Sequence, residues 1–119
     1  VGAINIAGIE VFAFHGVYEN EKRDGQKFII DLSVQLDFMA VATSDELSST
    51  VNYVDLTDYV VELATQSRFD LLESLAVYIA TEVLNRFPVI NLVQLSIRKP
   101  EIQLGHQVKN FYISHQQAR

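Results

Sequence analysis

The twelve residues from Gln26 to Asp37 alternate so regularly that one local structure suits them best. Phe28, Ile30, Leu32, Val34 and Leu36 fall on one side, and Lys27, Asp31, Ser33, Gln35 and Asp37 on the other, with Ile29 the single apolar exception in the polar row. Successive side chains of an extended chain point to opposite faces, so this segment predicts a half-buried antiparallel strand. Such a strand is not stable alone. It needs neighbours alongside it and a second layer over its apolar face.

The remaining sequence supplies both. Ile4 to His15 is rich in Ile, Val and Phe and closes on Gly16, which predicts a strand with Gly8 as a bulge or bend. The polar stretch Tyr18 to Gly25 reads as a short loop leading into the alternating strand. From Val54 to Ser67, Leu56, Tyr59, Val60, Leu63 and Ala64 recur at helical steps, although β-branched residues weaken the pattern. Leu72, Leu75, Ala76, Ile79, Ala80, Val83, Leu84 and Phe87 form a stronger helical stripe that Pro88 ends, with Asp70 the predicted N-cap. Val93, Leu95 and Ile97 alternate with Gln94, Ser96 and Arg98 in a third strand reaching Lys99-Pro100. After a loop containing Gly105, Val108 to His115 reads as a fourth. The order β-β-α-α-β-β predicts an α+β fold, a four-stranded antiparallel sheet with both helices on one face. Its two open edges invite pairing between subunits, so an oligomer is expected.

No linker, repeat or low-complexity run divides the 119 residues, which read as one domain, 1–119. The chain opens at Val1 without a Met, so further starting residues are expected. With no cysteine, disulfides, thiolate metal sites and a cysteine nucleophile are excluded, and a reducing cytoplasm suits the chain. The formal charge of −6 argues against a phosphate-backbone partner, so nucleic acid is not expected. No apolar run approaches the ~20 residues of a membrane span, and no membrane association is expected.

Four polar residues stand out as carriers of chemistry. Asp70-Leu-Leu-Glu73 has the spacing of a capping box, which would spend the Glu73 carboxylate on its own helix. Otherwise a carboxylate at a helix start could accept two parallel N–H bonds from a flat, amidine-like ligand edge. Lys99 shares the parity of Val93, Leu95 and Ile97, so it should leave the strand on the apolar side, where a partly desolvated lysine could act as acid or base. If the strand has already ended, it reaches water instead. Glu21, among mixed charges, and Tyr53, just before the first helix, would ordinarily be a solvated charge and a half-buried aromatic. His15, His106 and His115 have no metal-ligand spacing, and no metal is expected.

Together these signals carry a resemblance. FHGVYENEKRDGQKFIIDL, TVNYVDL, RFDLLESLA and IRKPEIQLGH, in this order, are similar to segments of the dihydroneopterin aldolase family, across about Ile4 to Ile113. The most specific are Leu71-Leu72-Glu73 followed by Leu75-Ala76, and the loop from His15-Gly16 through Glu21 to Gly25-Gln26. The resemblance implies the tunnelling fold, in which sheets join edge to edge into rings, commonly two stacked tetramers forming a homo-octamer with active sites between subunits. It implies that Glu73 anchors a pterin ring, with backbone groups near Leu72 and Asn52 adding contacts. Lys99 is then the catalytic lysine, Glu21 its neighbouring glutamate, and Tyr53 the tyrosine given by the adjacent subunit, while His15 and Gly16 shape the loop that places Glu21. The implied reaction is a retro-aldol cleavage in folate biosynthesis. It turns dihydroneopterin into 6-hydroxymethyl-7,8-dihydropterin and glycolaldehyde without metal or cofactor, and it can epimerise the side chain to dihydromonapterin. Two departures, a lone Pro100 after Lys99 and Lys109-Asn110 where small residues are usual, bear on the substrate tail and ring packing. The alternatives are a dihydroneopterin triphosphate epimerase, for which Lys22, Arg23 and Lys27 are candidate phosphate contacts, and a catalytically silent oligomeric pterin binder.

Overall fold

A computed structural model describes residues 1–119. In chain order it contains β1 (Gly2–Ala13), α1 (Glu19–Asp24), β2 (Gln26–Leu36), α2 (Phe38–Ser44), a single 3-10 turn (Leu47–Ser49), α3 (Tyr53–Thr65), α4 (Leu72–Arg86), β3 (Leu92–Arg98) and β4 (Tyr112–Ala118). The strands form one antiparallel sheet in the order β1-β2-β3-β4. Both long helices cover one face, α3 against β1 and α4 against β3 and β4. The expected α+β arrangement is the observed one.

The alternation in β2 explains why the layers meet as they do. Phe28, Ile30, Leu32, Val34 and Leu36 are all buried, and the register sets Ile30 opposite Ile97, Leu32 opposite Leu95 and Val34 opposite Val93. The helices answer with Leu56, Val60 and Leu63 from α3 and Leu75, Ile79 and Val83 from α4. Burying each such side chain stabilises the fold by about 1.5–3 kcal/mol relative to leaving it in water. Gly8 does make a bulge: its φ is +74°, and the β1–β2 register slips between Ile6 and Ile9. Its N–H donates to Asp31 Oδ1 at 2.6 Å, and Asp31 Oδ2 accepts the Ser96 hydroxyl at 3.2 Å, so one carboxylate ties three strands together.

Several local features differ from expectation. The polar stretch before β2 is not simply a loop. It winds into α1, started by the Tyr18 carbonyl, which accepts the N–H groups of Glu21 and Lys22. Six residues are too few for a helical hydrophobic period to show. Asp37, expected as the last polar residue of a strand, instead caps α2 by accepting the N–H groups of Met39 and Ala40. Asp70 does not cap α4. Leu71 occupies the N-cap position, no side chain caps the helix, and the Asp70 carboxylate is taken by Arg68 at 2.7 Å. The capping box is therefore absent and Glu73 is free of it. Finally, β4 begins at Tyr112 rather than Val108, because pairing with β3 ends where Arg98 faces Tyr112. Residues 99–111 have no strand beside them and form a long loop.

Candidate active site

The chemistry-bearing residues are placed by the turn that follows β1. Beyond Ala13 the chain runs alongside the α3–α4 connection, and His15 is wholly buried there. The Phe69 N–H donates to His15 Nδ1 at 3.0 Å, while Nε2 lies 2.7 Å from the Ala64 carbonyl. A carbonyl can only accept, so the neutral ring carries its proton on Nε2 and both nitrogens are satisfied. Phe69 stacks on the ring and Phe28 meets it edge-on. Burial pushes the His15 pKa below its usual 6.5, opposed by the bond to Ala64 and reinforced by the nearby positive charges of Arg68 and Lys99. His15 is thus a packed pin between the end of α3 and the segment before α4.

Gly16 follows with φ +147° and lies so close to Glu21 that a Cβ there would stand 2.4 Å from its carboxyl carbon. Only glycine lets the two segments approach this closely. The carboxylate that fills this space is fully engaged. Oε1 accepts the Tyr18 N–H at 3.2 Å, and Oε2 accepts Gln26 Nε2 at 3.0 Å and Lys99 Nζ at 2.5 Å. Lys99 and Glu21 side chains are only 12% and 14% exposed, so Lys99 leaves β3 on the apolar side and meets a partner 78 positions away. Burial alone would raise the Glu21 pKa. The Lys99 hydrogen bond, the Tyr18 N–H, Gln26 and the charge of Lys99 together outweigh it and hold the carboxyl below its usual 4.5. The result is a short, half-buried acid–base pair whose lysine lines a cavity of about 580 Å³ together with Pro100, Ile102, His106 and Lys109 among others.

Glu73 stands in the first turn of α4, exposed, with no protein hydrogen bond or ion pair to its carboxylate. With no side chain capping α4, the N–H groups of that first turn, Leu72 among them, are left for a ligand or water. Glu73, Phe69, Val77 and Tyr78 border a mostly apolar groove of about 570 Å³. The Glu21–Lys99 pair reaches this side through Gly16, whose N–H donates to the Phe69 carbonyl at 3.0 Å. Asn52 is the N-cap of α3, its Oδ1 accepting from Val54 and Asp55 and its carbonyl from Leu56, which leaves its side-chain amide and its backbone N–H as donors for other contacts. Tyr53, the first residue of α3, is 65% exposed, and its hydroxyl bonds to neither Glu21 nor Lys99 within the chain. The structure therefore joins Glu21 with Lys99 and ties Gly16, against which Glu21 packs, to Phe69, four positions before Glu73, but leaves Tyr53 outside. One participant had no signal beyond its place in the RFDLLE run: Arg68, which bonds to both Gly16 and Asp70.

The family model described as FolB, dihydroneopterin aldolase, matches residues 4–116. The chain belongs to the dihydroneopterin aldolase family. A dihydroneopterin aldolase of Methylorubrum extorquens is 44% identical over 92 residues, covering 77% of this chain and 71% of that protein. Among solved structures, FolB of Vibrio cholerae superposes with a TM-score of 0.90 at 28% identity, covering 100% of this chain and 98% of that one. The Escherichia coli dihydroneopterin aldolase in complex with neopterin gives a TM-score of 0.87 at 25% identity, over 99% and 100% of the two chains. The aldolase-family fold is thus present over the whole chain, and the Glu21–Lys99 pair and Glu73 lie inside the matched span.

Proposed function

We propose that this chain cleaves dihydroneopterin by a retro-aldol reaction, and that the half-buried Glu21–Lys99 pair carries the proton transfers. That pair is the observation on which the reading rests. Two charges removed from water at this cost need a purpose or very good geometry, and a movable proton at 2.5 Å in a pterin-binding family offers one. Glu73 supplies the anchor. Its free carboxylate complements the exocyclic amine and adjacent ring N–H of a pterin, and the uncapped N–H groups at Leu72 and the backbone at Asn52 supply further donors. With the ring held, Lys99 passes its own proton across the 2.5 Å bond to the Glu21 carboxylate and then, directly or through a water, takes the proton of the side-chain hydroxyl on the carbon that leaves. The carbon–carbon bond breaks, its electron pair enters the ring C=N as an enamine, and glycolaldehyde departs. The enamine then takes a proton on the side-chain carbon attached to the ring, giving 6-hydroxymethyl-7,8-dihydropterin. Recombination before release, on the other face of the aldehyde, would epimerise the side chain to dihydromonapterin. The substrate is its own electron sink, so the proposed reaction needs neither metal nor cofactor.

Tyr53 fits this scheme as a proton relay given by a neighbouring subunit, since it is exposed at the start of α3 with its hydroxyl free. A ring-forming homo-oligomer, of the size of two stacked tetramers, and a cytoplasmic place in the folate pathway belong to the same proposal. The triphosphate reading gains nothing from the structure. Lys22 pairs with Glu19 at 3.6 Å, Arg23 with Asp24 at 2.8 Å and Lys27 with Glu10 at 3.9 Å, so each candidate phosphate contact already has an acidic neighbour. The deciding experiment incubates the protein with dihydroneopterin in the presence of a chelator and follows glycolaldehyde. Release at an enzymatic rate is expected, and binding without release would favour the silent pterin binder.

A further inference from the structure

We propose that Arg68 is a positioning residue that holds the acid–base pair at a fixed distance from the pterin-anchoring turn. This inference rests on the aldolase reading above. The Arg68 guanidinium spans two segments distant in sequence. Nη2 donates to the Gly16 carbonyl and Nη1 to Asp70 Oδ1 at 2.7 Å. Gly16 is the residue packed against the Glu21 carboxyl group, and Asp70 lies two positions before Leu72, where the anchoring turn begins.

The same junction is crossed by two further bonds, Gly16 N–H to the Phe69 carbonyl and Phe69 N–H to His15 Nδ1, both 3.0 Å. Those two pin Phe69 itself. Arg68 carries the connection onward to Asp70, at the threshold of the uncapped helix. The bond from Arg68 holds the Asp70 carboxyl below its usual value and so keeps it charged as a partner. A planar fork with two donors in fixed geometry suits this task better than a flexible ammonium. The reaction gives the clamp its purpose. The ring is held at Glu73 and the proton is moved at Lys99, so a displacement of one against the other by about 1 Å can cost on the order of 10²-fold in rate.

The test compares Arg68→Ala and Arg68→Lys with the wild-type protein under steady-state conditions with dihydroneopterin. Arg68→Ala is expected to lower kcat about tenfold or more while KM and the affinity for neopterin stay within about threefold, because the anchor is untouched. Arg68→Lys, with one donor centre, should fall between. Added guanidinium chloride at millimolar concentration should restore part of the kcat of Arg68→Ala when kcat is expressed per neopterin-binding site, a measure that a mere loss of folded protein would not lower. Wild-type kcat in Arg68→Ala, a loss expressed only in KM, or a loss of kcat without rescue overturns the proposal while leaving the aldolase reading intact. Failure of the wild-type protein itself to cleave dihydroneopterin overturns both.

Discussion

At the scale of single residues, the site separates holding from reacting. Lys99→Ala should leave neopterin binding in place and lower cleavage by ~10²-fold or more, the range of general acid–base contributions. Titration calorimetry beside a glycolaldehyde assay reads both quantities. Glu73→Ala should do the reverse, abolishing pterin binding. Its thermal midpoint should stay near the wild-type value, since Glu73 caps nothing and an exposed substitution is usually worth within about ±0.5 kcal/mol. A fall in stability with binding retained would return Glu73 to a structural role. Acid should weaken the fold in two windows. His15 has a folded pKa below 6.5, so on acidification the unfolded chain takes up a proton first, and stability falls as pH drops below 6.5 toward the folded value. Glu21 has a folded pKa below 4.5, so its contribution is present above 4.5 and lost as pH falls through the folded value. Denaturant unfolding at a series of pH values should show the first slope flattened in His15→Gln and the second flattened in Glu21→Gln.

At the scale of elements, polar side chains start α2 and α3 and tie down the bulge in β1. Asn52 accepts two N–H groups at the start of α3, so Asn52→Ala should cost about 1 kcal/mol by urea unfolding, while Asn52→Asp should keep most of that stability. Equal stability of Asn52→Ala and wild type would show that the exposed start of α3 frays without consequence. The strong elements were readable in advance because their periods are long and clean: eleven residues of β2 at period two and fifteen of α4 at helical spacing. The weak ones were not. α1 and α2 are too short to show a period; α1 starts on the Tyr18 backbone carbonyl, and α2 on the Asp37 side chain, which the strand alternation had claimed for its polar face. The start of β4 depended on where β3 stopped pairing, a property of the partner strand rather than of its own residues.

At the scale of the whole molecule, the sheet ends in two open edges, β1 and β4, and large apolar side chains such as Met39, Leu47, Tyr53 and Leu104 lie exposed. If neighbouring subunits complete each site, Tyr53→Phe and Lys99→Ala should each be weakly active alone. Unfolded together and refolded as mixed oligomers, they should regain activity, because some sites then pair an intact Lys99 with an intact Tyr53. Absence of any recovery in mixtures shown by native mass spectrometry to contain both variants would place a complete site within one chain. The layers follow from local patterning alone. Periodicity assigns each residue of a strand or helix to a face, and face assignment is local. The sequence also carried the family motifs, so Glu21, Lys99 and Glu73 could be named before their surroundings were known. Their partners, by contrast, follow from the folded arrangement. Whether Lys99 reached water or a carboxylate, whether Glu73 was spent on a cap, and whether Arg68 mattered all turn on contacts between segments far apart in the chain. Such contacts arise where a buried histidine, a close-packed glycine and a single arginine bring those segments together, and no local period records them.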